Sequence, residues 1–210
     1  METLTTAAVG AWLADYAAVV HAQASYLTEL DAAIGDADHG SNMDRGMQAV
    51  AALDAGGLDS PAAYLKTVGR TLVSTVGGAS GPLYGTFFLR FAPGIAGAEG
   101  SAVTECGAGL RAGLAGVVDR GKAGAGDKTM VDALGPGVTA YERAVAAGGD
   151  LRAALAAAAA GARIGRDATI PLVARKGRAS YLGERSVGHL DPGAVSMTML
   201  LESAARTLGA

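Results

Sequence analysis

Apolar and polar residues follow a helical spacing along nearly the whole chain. No stretch shows the sustained alternation of apolar and polar residues that is typical of a half-buried strand. Glycine-rich or polar segments separate the periodic stretches. The pattern predicts about eight helices, over residues 5–30, 42–54, 61–76, 82–92, 101–121, 130–147, 150–167 and 192–208.

Capping residues mark several of these helix starts. Ser60-Pro61 and Asp191-Pro192 each place a side-chain acceptor directly before a proline at the first helical position. Further starts are predicted at Gly81-Pro82, Ser101, Asp150 and Thr5 or Thr6. Helices of this length with short connections pack antiparallel. No linker or composition break divides the chain, so we predict a single all-α domain over residues 1–210.

Composition and charge narrow the class of protein. Half of the 210 residues are hydrophobic, and the 32 glycines with many alanines allow close helix packing. The formal net charge is −3 and no basic stripe is present, which disfavours nucleic-acid binding. Cys106 is the single cysteine, as expected in a reducing compartment.

The sequence shows neither an export signal nor a membrane-spanning helix. The first residues, Met-Glu-Thr-Leu, lack the basic start and apolar run of an export signal. The longest charge-free run, residues 71–89, carries several glycines and a proline in its middle and is a poor membrane helix. We expect a cytoplasmic protein with no membrane partner.

The segment Asp31-Ala-Ala-Ile-Gly-Asp36-Ala-Asp38-His39-Gly40-Ser-Asn42-Met43 carries the clearest chemical signal. Three carboxylates fall within eight residues, and Gly35 and Gly40 are expected to let the backbone turn tightly between and after them. Carboxylates that converge repel one another unless a cation is present. Mg²⁺ prefers oxygen ligands and often shares one or two carboxylates with substrate phosphates. The segment therefore predicts a magnesium site that presents metal to phosphate.

This aspartate-rich segment has two other interpretations. The aspartates are alternatively a helix end followed by a solvated turn. A calcium-binding EF-hand loop is excluded, because counting from Asp36 places Met47 at the twelfth position, where that loop needs glutamate.

Three further loops carry candidate chemistry. The turn over residues 77–82 is either a plain interhelix connection or a phosphate cradle at a helix start. The loop over residues 121–130 suits the wall of a ligand site, with Met130 either an apolar contact for a flat ring or simple core. A P-loop beginning at Gly116 is excluded, because Ala123 stands where that motif needs a hydroxyl and no strand precedes it.

The most basic part of the chain is the loop over residues 175–193. It is either a solvated face or a shaped loop that places Arg178 over a diphosphate. Asp191 is predicted to cap a helix, and His189 fits either core hydrogen bonding or substrate contact. An acidic loop, a glycine-rich turn and a basic loop together describe a nucleotide site for phosphoryl transfer, which needs positioning and charge neutralisation most.

These motifs resemble the nucleotide-binding L subunits of dihydroxyacetone kinases. The resemblance is carried by Asp31 to Met43, Gly77-Gly-Ala-Ser-Gly-Pro-Leu-Tyr-Gly85, Gly126-Asp-Lys-Thr-Met130, Arg175-Lys-Gly-Arg-Ala-Ser-Tyr181 and Ser186-Val-Gly-His-Leu-Asp-Pro-Gly193. It implies a barrel of eight antiparallel helices with the nucleotide at one end. It also implies that Asp31, Asp36 and Asp38 hold two Mg²⁺ ions at the phosphates of ADP or ATP and act in catalysis with Arg178. The residues implied to line the nucleotide are His39, Gly40, Ser41, Asn42, Ala79, Ser80, Gly121, Met130, Arg178, Asp191, Pro192 and Gly193.

The resemblance also implies partners. Dihydroxyacetone would be bound on a separate K subunit, and bound ADP would be recharged by a phosphohistidine protein of the phosphotransferase system. Alternatives are an ATP-dependent kinase subunit for another short ketose or tetrose such as erythrulose, and a regulatory nucleotide-binding module that contacts a transcription regulator. A phosphohydrolase of the Asp-x-Asp type is disfavoured, because its aspartates follow a strand and these follow a predicted helix.

Overall fold

The computed structural model describes residues 3–95 and 100–209, and the regular structure within those ranges is entirely helical. The α-helices are α1 Thr6–Ala22, α2 Ala24–Ile34, α3 His39–Ala51, α4 Pro61–Thr75, α5 Ser80–Phe91, α6 Ala102–Gly121, α7 Met130–Ala146, α8 Leu151–Asp167 and α9 Pro192–Thr207. Two 3₁₀ helices lie at Ala92–Ile95 and Arg178–Ser186. The predicted all-α class is confirmed.

Side-chain caps begin the helices where the sequence predicted them. The hydroxyl of Ser60 accepts a hydrogen bond from the Ala63 amide at 3.1 Å, and Pro61 occupies the first turn. Thr5, Ser101, Asp150 and Asp191 cap α1, α6, α8 and α9 in the same way. Each cap satisfies an amide that has no partner inside its helix, which is why this local signal is dependable.

The predicted first helix, residues 5–30, is wrong. The chain leaves helical geometry at Gln23, where φ is −106° and ψ is 9°. α1 packs mainly on α3 and α9, whereas α2 packs on α3, α9 and the second 3₁₀ helix. The break therefore lets α2 stay on α3 and α9 while it also reaches the second 3₁₀ helix. α2 runs on to Ile34, so that Asp31 lies in its last turn.

The turn expected at Gly40 is also wrong, whereas the chain does turn at Gly35, which ends α2. The residue with left-handed backbone geometry between the aspartates is Ala37, with φ of 60°. α3 starts at His39, not at residue 42, so Gly40 lies inside a helix. A Cβ atom on Gly40 would collide with the carbonyl oxygen of Ala24. Glycine is needed there because α2 and α3 approach closely.

A large hydrophobic cluster joins α1 and helices α3 to α9, whereas Ile34 of α2 belongs to a separate small cluster. At the centre of the large cluster, Trp12 contacts Phe88 and Phe91 with ring centroids 5.9 and 5.7 Å apart. Cys106 is buried in the same cluster. Within the described ranges, no helix combines the length and the apolar character that crossing a membrane requires.

We expect Gly40→Ala to lower the free energy of unfolding by about 1–3 kcal/mol, because the nearest obstructing atom, the carbonyl oxygen of Ala24, belongs to the backbone and cannot rotate away. Gly10→Ala in α1 is the matched control, since a Cβ there has only the Cβ of Ala55 nearby, at an ordinary contact distance of 3.5 Å. It should be neutral or slightly stabilising. Urea unfolding followed by circular dichroism measures both changes. A Gly40→Ala variant as stable as the parent would contradict the packing argument.

Candidate functional site

The four loops that the sequence singled out meet at one cavity of about 830 Å³. Its lining draws on the α2–α3 connection, the start of α5, the α6–α7 connection and the loop between α8 and α9. Of the predicted nucleotide contacts, those that line it are His39, Ala79, Ser80, Gly121, Met130, Arg178, Asp191, Pro192 and Gly193. The three aspartates line it as well.

The acidic loop brings three carboxylates to one point. Asp31, Asp36 and Asp38 each offer an oxygen, and these oxygens lie within 4.8 Å of one another. Asp31 is buried, and its Oδ2 accepts hydrogen bonds from the amides of Asp38 at 2.9 Å and His39 at 3.1 Å. Asp31 therefore holds the start of α3 from the end of α2. Within residues 3–95 and 100–209, these three form the group that could hold a metal.

Arg178 reaches the acidic cluster from the opposite wall. Its Nε lies 2.9 Å from Oδ2 of Asp36, and its side chain remains 67% exposed. The backbone around it is left-handed at Gly177, with φ of 66°, and at Gly183, with φ of 54°. Glycine takes this geometry without strain. The arginine thus has an anionic partner and room to move.

The start of α5 forms the side of the cavity next to the carboxylates. Gly77, Gly78, Ala79 and Ser80 line the cavity, and the helix begins at Ser80. The first turn of a helix has amides with no partner inside the helix and carries a partial positive charge. The predicted helix start at Pro82 is therefore two residues late, and the earlier start places Ser80 at the cavity.

A buried hydrogen-bond chain supports Ser80 from behind. The Nδ1 atom of His39 lies 3.1 Å from the Ser80 hydroxyl, and its Nε2 lies 2.8 Å from the hydroxyl of Ser196. Ser196 is in turn 2.7 Å from the hydroxyl of Tyr84. Burial lowers the pKa of His39, although Asp31 and Asp38 oppose the shift. A neutral imidazole is therefore favoured at the cavity wall.

The cavity also has apolar side chains in its lining. They include those of Leu83, Val117, Met130, Val131 and Pro192. Apolar side chains around a flat space are suited to an aromatic ring. Leu83, Val117 and Val131 were missed from the sequence, because each belongs to a helix and matches the pattern of ordinary core residues.

Three predicted nucleotide contacts are not among the residues that line the cavity. Gly40 packs against α2, and the exposed Ser41 donates to the carbonyl of Asp38 at 3.0 Å. Asn42 is buried, and its Oδ1 accepts a hydrogen bond from Arg45 at 2.6 Å. The fold gives each of them a role in holding α3, and a direct contact with nucleotide stays a prediction.

His189 is also absent from the residues that line the cavity. Its carbonyl oxygen accepts a hydrogen bond from Lys128.

Asp191 lies buried at the inner wall, where it caps α9 through a hydrogen bond from the Ala194 amide at 2.7 Å. Burial raises the pKa of Asp191 to about 7, a shift that Asp132 reinforces and that the Ala194 amide and Lys128 oppose. The sequence predicted the cap. It did not predict the burial, which depends on residues distant in the chain.

Comparison with known proteins agrees with this geometry. The family model of the DAK2 domain matches residues 33–206. The chain belongs to the DAK2 domain family. It is 44% identical, over 91% of each chain, to the ADP-binding subunit DhaL of the PEP-dependent dihydroxyacetone kinase of Escherichia coli K12. It is 40% identical, over 91% of its length and 92% of the relative, to the ADP-binding subunit DhaL of the PTS-dependent dihydroxyacetone kinase of Lactococcus lactis.

A solved structure of this DAK2 family shows the same fold in a larger enzyme. The dihydroxyacetone kinase from C. freundii, in complex with AMP-PNP and Mg²⁺, matches with a TM-score of 0.69 and 26% identity. The match covers 98% of this chain and 35% of that one, so this chain spans about a third of the larger kinase. The predicted helical barrel and the predicted resemblance to kinase subunits are confirmed.

The buried Asp191 predicts a pH dependence of stability. Its pKa is raised on folding, so the folded state binds more protons than the unfolded state between about pH 4 and 7, and the contribution of Asp191 to stability falls as pH rises through that window. Asn caps helices as well as Asp. In EDTA, the melting temperature of Asp191→Asn minus that of the parent should therefore increase between pH 4 and pH 8.

The exposed helix cap Asp150 provides the control. The same difference for Asp150→Asn should vary less over this range. A difference for Asp191→Asn that stays constant, or that falls with pH, would contradict the assigned burial effect.

Proposed function

We propose that this chain is the ADP-binding, phosphoryl-transfer subunit of a dihydroxyacetone kinase. The observation that carries the proposal is the convergence of three carboxylates, within 4.8 Å of one another, on a cavity of about 830 Å³. Its relatives are named as ADP-binding subunits of that kinase. The working compartment in this proposal is the cytoplasm.

Asp31, Asp36 and Asp38 are the proposed ligands of two Mg²⁺ ions. The donor set fits, because carboxylate oxygens are ligands that Mg²⁺ prefers. Oδ2 of Asp31 already accepts two amides, which leaves Oδ1 for metal. Bound Mg²⁺ would neutralise charge on the nucleotide phosphates.

Arg178 and the start of α5 are the proposed phosphate contacts. The guanidinium of Arg178 pairs with Asp36, and its side chain is exposed enough to turn toward a phosphate. Cations on the aspartates would reduce the attraction of Arg178 for Asp36 and favour that movement. The amides at the start of α5 and the Ser80 hydroxyl are suited to the remaining phosphate oxygens. The apolar region around Leu83 and Met130 is the proposed place of the adenine ring.

The proposed reaction passes one phosphoryl group through the bound nucleotide. The N–P bond of a phosphohistidine protein of the phosphotransferase system breaks as a P–O bond forms to the terminal phosphate of ADP, and the imidazole takes up one proton from solvent to become neutral histidine. The resulting ATP then transfers its γ-phosphoryl group to a hydroxyl of dihydroxyacetone held on a partner K subunit. The products are ADP, which stays on this chain, dihydroxyacetone phosphate and the hydroxyl proton.

We expect Asp36→Asn to lose a proposed metal ligand and to weaken retention of ADP, while circular dichroism shows an unchanged helical fold. Removing groups that merely support a ligand costs about tenfold or more in metal affinity, so loss of a direct ligand should cost at least that. Measurement of ADP and Mg²⁺ that remain bound after gel filtration checks this. Asp59→Asn is the control, because Asp59 is exposed in the α3–α4 connection.

A variant at Asp36 that retains as much ADP and Mg²⁺ as the parent would show that the ligand assignment is wrong. Asp59→Asn should retain both.

If ADP is phosphorylated while it stays bound to this chain, the kinase should depend on the phosphohistidine donor for turnover. With the K subunit and dihydroxyacetone present, the chain should turn over efficiently with the donor protein and phosphoenolpyruvate, using substoichiometric ADP. Dihydroxyacetone phosphate formed over time is the measurement. Equal turnover on free ATP, with no effect of the donor, would contradict recharging and favour an ATP-dependent kinase subunit.

A further inference from the structure

Lys128 is a buried lysine at the inner side of the cavity, and the proposed function gives it no task. Its side chain is 1% exposed, and its backbone is left-handed, with φ of 62°. Both features are unfavourable for lysine unless the surroundings compensate. A residue with two such features needs a physical explanation.

Five carbonyl oxygens surround the ammonium group of Lys128. They belong to Thr169, Ile170, Leu172, Ser186 and His189, at distances of 2.9, 3.4, 3.1, 2.8 and 2.7 Å from Nζ. Three N–H donors are therefore shared among five acceptors. All five acceptors belong to residues 168–191, the connection between α8 and α9, and come from both of its ends.

Few other hydrogen bonds hold this connection. The amide of Ala174 donates to the hydroxyl of Ser186 at 2.9 Å, which also joins its two halves. The amide of Gly188 donates to the carbonyl of Ile170 at 2.8 Å, and the amide of Asp191 donates to the hydroxyl of Thr169 at 3.1 Å. The amide of Arg175 donates to the carbonyl of Asp127 at 3.1 Å. Lys128 thus lies where the outgoing and returning halves of the connection meet.

The middle of the connection carries Arg178 to the acidic cluster. A small apolar cluster of Ile34, Ala174 and Ala179 attaches this middle part to the end of α2. That contact is too small to order a connection of this length by itself, since buried apolar area sets its contribution. The ends of the connection have to be held elsewhere.

We propose that Lys128 is a positioning residue, whose ammonium group gathers the two ends of the α8–α9 connection and thereby places Arg178 at the mouth of the cavity. The part that concerns phosphoryl transfer rests on the proposed function. The part that concerns the order of the connection does not.

Limited trypsin digestion of the nucleotide-free protein tests the order of the connection. The exposed residues Arg175, Lys176, Arg178 and Arg185 are cleavage sites within it. In Lys128→Met, cleavage at these sites should be faster by about tenfold or more, because hydrogen bonds to a buried charge are lost and cleavage follows the population of the open loop. Lys122→Met is the control, since Lys122 lies in the same α6–α7 connection but is exposed. It should be cleaved at the parent's rate.

Lys128→Gln keeps two N–H donors without the charge, and an intermediate rate is expected for it. It also serves if Lys128→Met fails to fold. An unchanged cleavage rate in a folded variant would overturn the proposal. Loss of the helical circular-dichroism signal in both variants would also overturn it, because Lys128 would then stabilise the whole fold and not the connection.

A double-mutant comparison tests whether Lys128 acts through Arg178. Displacing a group that orients phosphate can cost about 10²-fold in transfer rate. If Lys128 acts through Arg178, the double variant Lys128→Met/Arg178→Ala should transfer phosphate no more slowly than Arg178→Ala alone. If the losses in transfer rate from the two substitutions multiply in the double variant, Lys128 does not act through Arg178. An Arg178→Ala variant with parental transfer would instead contradict the proposed function, and the trypsin result would still decide the order of the connection.

Discussion

Mutual repulsion of three carboxylates within 4.8 Å of one another is the constraint on which this site depends. Like charges this close repel one another, and a nearby cation reduces that repulsion. The fold keeps them together because Asp31 lies in the last turn of α2 and accepts the amides of Asp38 and His39. The backbone of the acidic loop is therefore held before any metal ion arrives. Arg178 already pairs with Asp36, and divalent cations would offset the remaining negative charge.

Positive groups lie next to the carboxylate cluster of the site. The three carboxylates lie in the α2–α3 segment, Arg178 contacts Asp36, and the start of α5 lines the same cavity. A diphosphate with divalent cations matches this pattern, because the metals face the carboxylates and the phosphate oxygens face the arginine and the amides. The apolar side chains in the cavity lining suit an aromatic base. A nucleotide with divalent cations therefore matches the charged and the apolar parts of the lining.

Local signals in the sequence predicted most of the fold. Caps such as Ser60 and Asp191 depend on atoms three residues away, so their effect is readable from the chain alone. The break at Gln23 has no glycine or proline beside it and follows from which helices α1 and α2 contact. Propensity is a weak guide where tertiary contacts decide.

In the candidate site, too, contacts between residues close in sequence were predictable and contacts between distant residues were not. The acidic cluster spans eight residues, and its convergence was predictable from the sequence. The contact of His39 with Ser196 joins residues 157 positions apart, and Lys128 binds carbonyls 41 to 61 positions away. A lysine near glycines is usually an exposed residue, so nothing in the local sequence indicates that Lys128 is buried.

Titration calorimetry of ADP into the nucleotide-free protein, with Mg²⁺ and then with EDTA, tests the central claim most directly. If the three carboxylates bind the nucleotide through divalent cations, removal of Mg²⁺ should weaken ADP binding by about tenfold or more, because carboxylates and phosphates then repel one another. Equal affinity for ADP in Mg²⁺ and in EDTA would contradict the account.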